Sequence, residues 1–255
     1  MALIKKNISN QDYHSHPAIS ASGLKLIYKK SVYHYLNRQP FSSAAMTLGS
    51  AVHTGLNEPE KFYNEYYVLP KADGRTAEGK RIKAEAEEIA KTKIILNDSE
   101  MEIVKGIKAN FDNHETAQYY SQGVKEASFF GEIDSVPVKV RPDNINEILK
   151  FISDIKTCQD NSPSAFRSDI YKYGYHLQAA FYCWVLGYDP RCFRFITTET
   201  KYPYSVEVYA MSDKMIEDGQ KALSKAWGDW SFYFKTKMVT TYTSAEKLED
   251  GSYLL

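Results

Sequence analysis

The chain has 255 residues, 43% apolar and 25% charged, proportions of a folded globular protein that exclude disordered and fibrous architectures. Equal numbers of basic and acidic residues, 32 of each, exclude a protein that coats nucleic acid by bulk electrostatics and confine any DNA contact to local patches. Cys158, Cys183 and Cys192 are too few for a disulfide framework or a four-thiolate iron–sulfur cluster, and no apolar run reaches the roughly 18 residues of a membrane helix.

The opening Met1-Ala2-Leu3-Ile4-Lys5-Lys6 is not followed by an apolar leader segment, so a cytoplasmic protein without membrane contact is expected. Ile19-Ser20-Ala21-Ser22 leads into Leu24, Leu26, Ile27, Tyr33 and Leu36, a helical spacing with a serine N-cap that ends before Pro40. A second amphipathic helix over 43–56 stops near Pro59, and its small residues permit close packing on a neighbour. The turn Ala72-Asp73-Gly74 opens an Ala-, Glu- and Lys-rich helix over 76–91, and Ser99 caps a further helix to about Tyr120. Lys29-Lys30 and the run Arg75, Lys80, Arg81, Lys83 are candidate basic patches, each also readable as a solvated helix face.

Across the centre, 124–130, 135–141 and 148–155 are short apolar or alternating runs separated by turn residues, the pattern of a β-meander. After Ser162-Pro163, a helix carrying Tyr175, Leu177, Gln178, Phe181 and Tyr182 ends at Gly187. Strands at 192–198 and 205–209 precede a last helix from Ser212 to about Tyr233, and the remainder reads as an irregular tail over 236–255. The order predicts an α/β fold with a central mixed β-sheet flanked by α-helices. With no linker or repeat, one domain over 1–255 is expected, a helical part over about 1–120 packed on an α/β core over about 121–235.

One stretch carries chemistry: Val138-Lys139-Val140-Arg141-Pro142-Asp143, followed by Phe151-Ile152-Ser153-Asp154-Ile155-Lys156. If the two segments pair as neighbouring strands, Asp143 and Asp154 point at one site, and Lys156 shares a face with Asp154. Two converging carboxylates bind a divalent cation, and a lysine beside them orients water or meets phosphate charge. Pro142 breaks regular pairing just before Asp143, whereas Asp154 lies in an apolar run where an unpaired charge costs several kcal/mol. A salt bridge from Asp154 to Lys156 or Arg141 is the competing structural reading. His53 and Glu126 are uninformative alone, and Tyr175, Gln178 and Tyr182 share a helix face that is either a polar seam or a support for the site.

Taken in order, these segments resemble the PD-(D/E)xK nuclease superfamily and, more closely, its RecE-type (exonuclease VIII-like) exonucleases. The matching stretches are Tyr13-His14 with Ile19-Ser20-Ala21-Ser22, Leu48-Gly49-Ser50-Ala51-Val52-His53 with Glu58-Pro59-Glu60-Lys61-Phe62, and Arg75-Thr76 with Gly79-Lys80. Arg141-Pro142-Asp143, Asp154-Ile155-Lys156-Thr157 and Tyr175-His176 with Gln178 complete the set. The resemblance implies a restriction-endonuclease-like core in which Asp143, Asp154, His53 and the Ile155 carbonyl bind metal and Lys156 is the catalytic lysine. It places Glu126, Tyr175 and Gln178 in support of catalysis, and Ser22, Arg75 and Lys80 near the DNA end. One or two Mg²⁺ ions are implied, with Mn²⁺ as a substitute.

The activity so implied is 5′-to-3′ digestion of linear double-stranded DNA, leaving a 3′ single strand for recombination by annealing. The implied partners are double-stranded DNA ends, further copies of the chain in a homo-oligomeric ring, a tetramer or a trimer, and a single-strand annealing protein of RecT type. The alternatives are a site-specific or structure-specific endonuclease of the same superfamily, and a non-catalytic DNA-binding or assembly subunit that keeps the fold. A helicase is disfavoured because no Gly-x-x-x-x-Gly-Lys-Ser/Thr loop is present.

Overall fold

The computed structural model describes residues 3–6, 8–73, 75–242, 248, 249 and 252. Its first half contains strand β1 (Ile4–Lys6), helices α1 (Asn10–Ser15), α2 (Ala21–Lys29), α3 (Val32–Leu36), α4 (Ala44–Asn57) and α5 (Pro59–Glu65), and strand β2 (Tyr66–Val68). Helix α6 (Ala77–Ile89), strand β3 (Ile94–Leu96) and helices α7 (Asp98–Asp112) and α8 (Glu115–Tyr120) follow. The second half holds strands β4 (Val124–Lys125), β5 (Ser128–Ile133), β6 (Val136–Val140), β7 (Asn144–Asn146) and β8 (Phe151–Cys158), then helices α9 (Pro163–Tyr173) and α10 (Tyr175–Leu186). Strands β9 (Phe193–Glu199) and β10 (Val206–Ala210) lead into α11 (Asp213–Thr236). No helix among the described residues is long and apolar enough to cross a membrane.

The main sheet has the order β10-β9-β8-β7-β4 and is mixed, since β8 and β9 run parallel while its other pairs are antiparallel. Alternation along its strands sends side chains to two layers. Ile152, Phe193 and Phe195 join the core built with α2, α10 and α11, whereas Ile155, Ile196 and Val206 join the core built with α4, α7 and α8. The result is a helix-sheet-helix sandwich, as the predicted fold class requires. Helix α10 is apolar nearly all round because α2, α9 and α11 enclose it.

The predicted meander is the main correction. Strands β5 and β6 pair with each other and with β1 in a separate three-stranded antiparallel sheet, while β4, β7 and β8 belong to the main sheet. Within the predicted meander the chain changes sheets twice: at Glu126, which takes a left-handed φ of 52°, and at Pro142, which cannot donate to a ladder. The segments ending at Asp143 and containing Asp154 are therefore not paired as neighbours. The run expected as 148–155 begins at Phe151, since the pairing of β7 with β8 closes at Asn146 opposite Phe151, and residues 147–150 form a turn that leaves Ile148 90% exposed.

Three helices expected as continuous are divided. Ser31 accepts the His34 N–H and starts α3, His114 accepts the Ala117 N–H and starts α8, and left-handed Gly174 (φ 68°) separates α9 from α10. Asn97, not Ser99, caps α7, in a reciprocal capping box with Glu100. Pro59 stops α4 but also opens α5, because its fixed φ suits the first turn of a helix. Of the expected tail, 237–242 is irregular and lies along α3, where the Tyr33 N–H donates to the Thr240 carbonyl at 3.1 Å. Residues 243–247, 250, 251 and 253–255 of that tail lie outside the described residues, as do Gly74 of the predicted turn and Met1-Ala2.

Helix α11 approaches α10 closely at Gly219, where an added Cβ would meet the His176 carbonyl oxygen at 2.5 Å, whereas at Gly228 it would meet open space. Gly219→Ala is therefore expected to lower stability by about 1–3 kcal/mol. Gly228→Ala, in the same helix, should raise it by about 0.8–1 kcal/mol, both read from denaturant unfolding.

Candidate active site

Strand register assembles the site. Asn144 of β7 lies opposite Ser153 of β8, so Asp143, one residue before β7, falls opposite Asp154. The Ile155 N–H donates to Asp143 Oδ2 at 2.5 Å and pins that carboxylate to the strand. Helix α4 brings His53 to the same point, with Nε2 2.9 Å from Asp143 Oδ2 and 3.2 Å from the Ile155 carbonyl oxygen. Its Nδ1 lies 3.5 Å from Glu126 Oε1, and Glu126 Oε2 is 3.2 Å from Arg141 Nε. Asn57, at the end of α4, donates to Glu126 at 3.5 Å.

On the other side, Asp154 is 2% exposed. Its Oδ1 accepts the Gln178 amide at 2.7 Å, and its Oδ2 is ion-paired with the Lys156 ammonium. Lys156 lies 4.6 Å from the centre of the Tyr175 ring, and Tyr182 donates to the Arg141 carbonyl at 3.1 Å. The seam expected from Tyr175, Gln178 and Tyr182 thus faces the acidic pair. His53, Glu126, Arg141, Lys156 and Tyr175 line one cavity of about 410 Å³.

Ser22 lines an adjoining cavity with Arg141 and Gln178 and is hydrogen-bonded to Ser20 at 2.9 Å. Arg75 and Lys80 line neither cavity: Arg75 is held by Asp73 at 2.9 Å on the exposed surface, and Lys80 is exposed on α6. Sequence reasoning missed Lys25, whose Nζ donates to Gln178 Oε1 at 3.0 Å and lies 5.5 Å from the Tyr175 ring centre. One signal was present: Lys25 stands four residues after buried Ala21 and beside buried Leu24, on the apolar stripe of α2.

Burial and mutual charge set the titration of these groups. Burial, reinforced by the Asp154 charge and opposed by His53, raises Asp143 to about 6. Burial acts to lower His53, but the charge and hydrogen bonds of Asp143 and Glu126 outweigh it and hold the imidazole well above its ordinary value. For Lys156, too, burial acts downward and is outweighed, chiefly by Asp154, so the ammonium is favoured. Lys25, with Gln178 between it and that carboxylate, is lowered to about 7 by burial and by the Lys156 charge.

The donor set fits a divalent ion. His53 Nε2, Asp143 Oδ2 and the Ile155 carbonyl are separated by 2.9 and 3.2 Å, close to the spacing of about 3 Å between adjacent ligands of an octahedral ion with bonds of about 2.1 Å. His53, Glu126 and Asp143 each offer an atom within 4.8 Å of the others, and Asp154 Oδ2 is buried with the Lys156 ammonium beside it and no hydrogen bond of good geometry. Carboxylate and carbonyl oxygens suit Mg²⁺ or Mn²⁺, and the imidazole suits the softer of the two.

A ligating imidazole must be neutral, and His53 is held protonated, so ion binding should release a proton near neutral pH and strengthen as pH rises. Calorimetric titration of Mn²⁺ in buffers of different ionisation enthalpy measures that release; affinity independent of pH would remove His53 from the ligands. Lys25 gives a second pH dependence. With its folded pKa at about 7, below the unfolded 10.5, the folded chain binds fewer protons in that window, so the penalty is complete below pH 7 and fades as pH rises. Lys25→Met should therefore raise the melting temperature most at about pH 6 and progressively less towards pH 10, whereas an increment constant with pH would contradict the assignment.

Comparison with known proteins agrees with this architecture. Residues 20–231 match the PDDEXK-like domain of unknown function (DUF3799). No curated protein sequence matches the chain. A crystal structure from Eubacterium rectale, of a protein proposed to be an exonuclease, superposes with a TM-score of 0.59 at 16% identity, covering 92% of this chain and 89% of that one. A phage-related exonuclease from Haemophilus somnus aligns over 90% of this chain and 100% of its own at 14% identity, with a TM-score of 0.33. The family match spans most of the chain, including the acidic pair, the lysine and the helix that supports them, and the chain belongs to the PDDEXK-like family.

Proposed function

We propose that the protein is a divalent-metal-dependent exodeoxyribonuclease that digests linear double-stranded DNA from 5′ to 3′ and leaves 3′ single strands for annealing. The observation that carries this reading is the convergence of Asp143, Asp154, His53 and the Ile155 carbonyl beside Lys156, behind a cavity that His53, Ile155 and Lys156 line. Asp143, Asp154, His53 and the Ile155 carbonyl would hold the ion. A bound Mg²⁺ or Mn²⁺ supplies Lewis-acid charge to a phosphoryl oxygen and lowers the pKa of water. Lys156, on the Asp154 face, orients water and meets the developing phosphate charge. Gln178 holds Asp154 in place, Tyr175 packs against the Lys156 ammonium, and Glu126 fixes the His53 ring from behind.

The polarity rests on the RecE-type motifs alone, and the exonuclease activity proposed for the Eubacterium rectale protein supports cleavage from an end. Under this reading the enzyme acts in the cytoplasm as a homo-oligomeric ring, a tetramer or a trimer, and passes its product to a RecT-type annealing protein. Ser22 lies nearest the DNA end, while Arg75 and Lys80 meet the duplex outside the cavity. Neutral net charge is compatible with this if topology retains the DNA and basic residues face a channel.

The decisive assay incubates the purified protein with Mg²⁺ and end-labelled linear duplex beside covalently closed circular DNA. Nucleotide release from the linear substrate alone is expected. Cutting of the circle would favour an endonuclease, and no cleavage of either would favour a non-catalytic subunit. Asp154→Ala should abolish cleavage while the chain stays folded, and Lys156→Ala should cost about 10²–10³-fold in rate. Full activity in Asp154→Ala would eliminate the proposed metal site.

A further inference from the structure

A second groove, of about 860 Å³, adjoins the catalytic cavity, and Met46, Gly49, Thr157 and Tyr175 line both. It runs between the first turns of α4 and the corner where α9 meets α10. At that corner Tyr173 and Tyr175 stack with ring centres 5.5 Å apart and planes at 30°. Lysines flank the stack along its length: Lys156 and Lys25 lie 4.6 and 5.5 Å from the Tyr175 ring centre, and Lys172 and Lys29 lie 5.1 and 6.0 Å from that of Tyr173.

The corner is built for this arrangement. Gly174 takes φ 68°, and a Cβ there would crowd the Lys25 stem at 3.3 Å and touch the Lys29 stem at 3.7 Å, so the missing side chain gives Lys25 room at the turn. Among the described residues, Lys25, Lys29 and Lys172 have no carboxylate ion-pair partner. Lys25 donates to Gln178 and Lys29 to the Lys172 carbonyl, so Lys172 is the lysine at this corner whose ammonium faces the groove. Tyr173 is 44% exposed, although its ring already has a stacking partner on one face.

We propose that this groove is a track for one unpaired nucleic-acid strand entering or leaving the catalytic cavity, with Tyr173 stacking a base and Lys172 meeting a backbone phosphate. The inference rests on the nuclease reading of the adjoining site. A base offers its flat face to an aromatic platform only when it is unpaired, and a basic groove lined by aromatic rings is the usual device for binding single strands without regard to sequence. Two carboxylates, Asp160 and Asp169, also line the groove, and Asp160 accepts the Ser162 N–H at 2.8 Å. Their repulsion confines the phosphates to the lysine side.

The test is fluorescence-anisotropy titration of the full chain with a labelled oligothymidylate and with a blunt duplex, divalent ions being removed by chelator. Tyr173→Ala should weaken oligothymidylate binding about 5- to 150-fold, with Tyr173→Phe restoring most of it. Lys172→Ala should reduce the slope of log affinity against log salt by about 0.7. Unchanged oligothymidylate affinity in both Tyr173→Ala and Lys172→Ala would overturn the track, as would a loss confined to the duplex. Hydrolysis of bis(p-nitrophenyl) phosphate by the unaltered chain with Mn²⁺ tests the underlying reading separately: absence of turnover there counts against the nuclease, whereas turnover with unaltered oligothymidylate binding in the variants counts against the track alone.

Discussion

Two carboxylates buried opposite each other, Asp143 and Asp154, are the constraint on which the rest of the site depends. Like charges buried side by side cannot both persist without compensation. Each source of compensation comes from a different part of the chain: His53 from α4, Lys156 from β8 and the Gln178 amide from α10, with Arg141 balancing the neighbouring Glu126. The charge balance therefore ties both helical layers to the sheet. It also leaves a cluster of donors that a divalent ion can occupy by displacing the His53 proton.

The backbone performs as much of the positioning as the side chains. The Ile155 N–H holds Asp143 while the Ile155 carbonyl faces His53, so one peptide segment joins the acidic pair to the helix layer. Close approach of α4 to β8 is needed for this, and the small residues of α4 provide it: a Cβ on Gly49 would meet Thr157 Oγ1 at 3.1 Å. The side chain of Ile155 meanwhile points into the core formed with α4 and α7. Alternation along β8 thus sends Ile155 to the α4 side, while Asp154 and Lys156 share the α10 side with the buried Ile152.

Local signals carried much of the fold. Serine caps, apolar periodicity and the break at Pro142 located the helices around α2, α4 and α11 and the end of the strand before Asp143. They failed where a local rule has two outcomes. Pro59 both ends one helix and begins another, and apolar alternation in β5 and β7 does not state which sheet each strand joins. Lys25 illustrates the same limit at the site, because a lysine on an apolar stripe is ordinarily a solvated end, and only the fold of α2 against α10 turns it towards Gln178.

The sequence by itself determined the fold class, the chemistry of the donors and the resemblance that links Asp143, Asp154 and Lys156, because residue type, strand alternation and helical spacing are local properties. Tertiary structure decided that Asp143 reaches Asp154 through β7 rather than through its own preceding strand, that Lys25 joins Gln178, and that Tyr173 lines a groove adjoining the cavity. Those arrangements arise from strand register and helix packing between segments far apart in the chain. A one-residue change of register would turn the same side chains to the opposite face, and no local pattern encodes it.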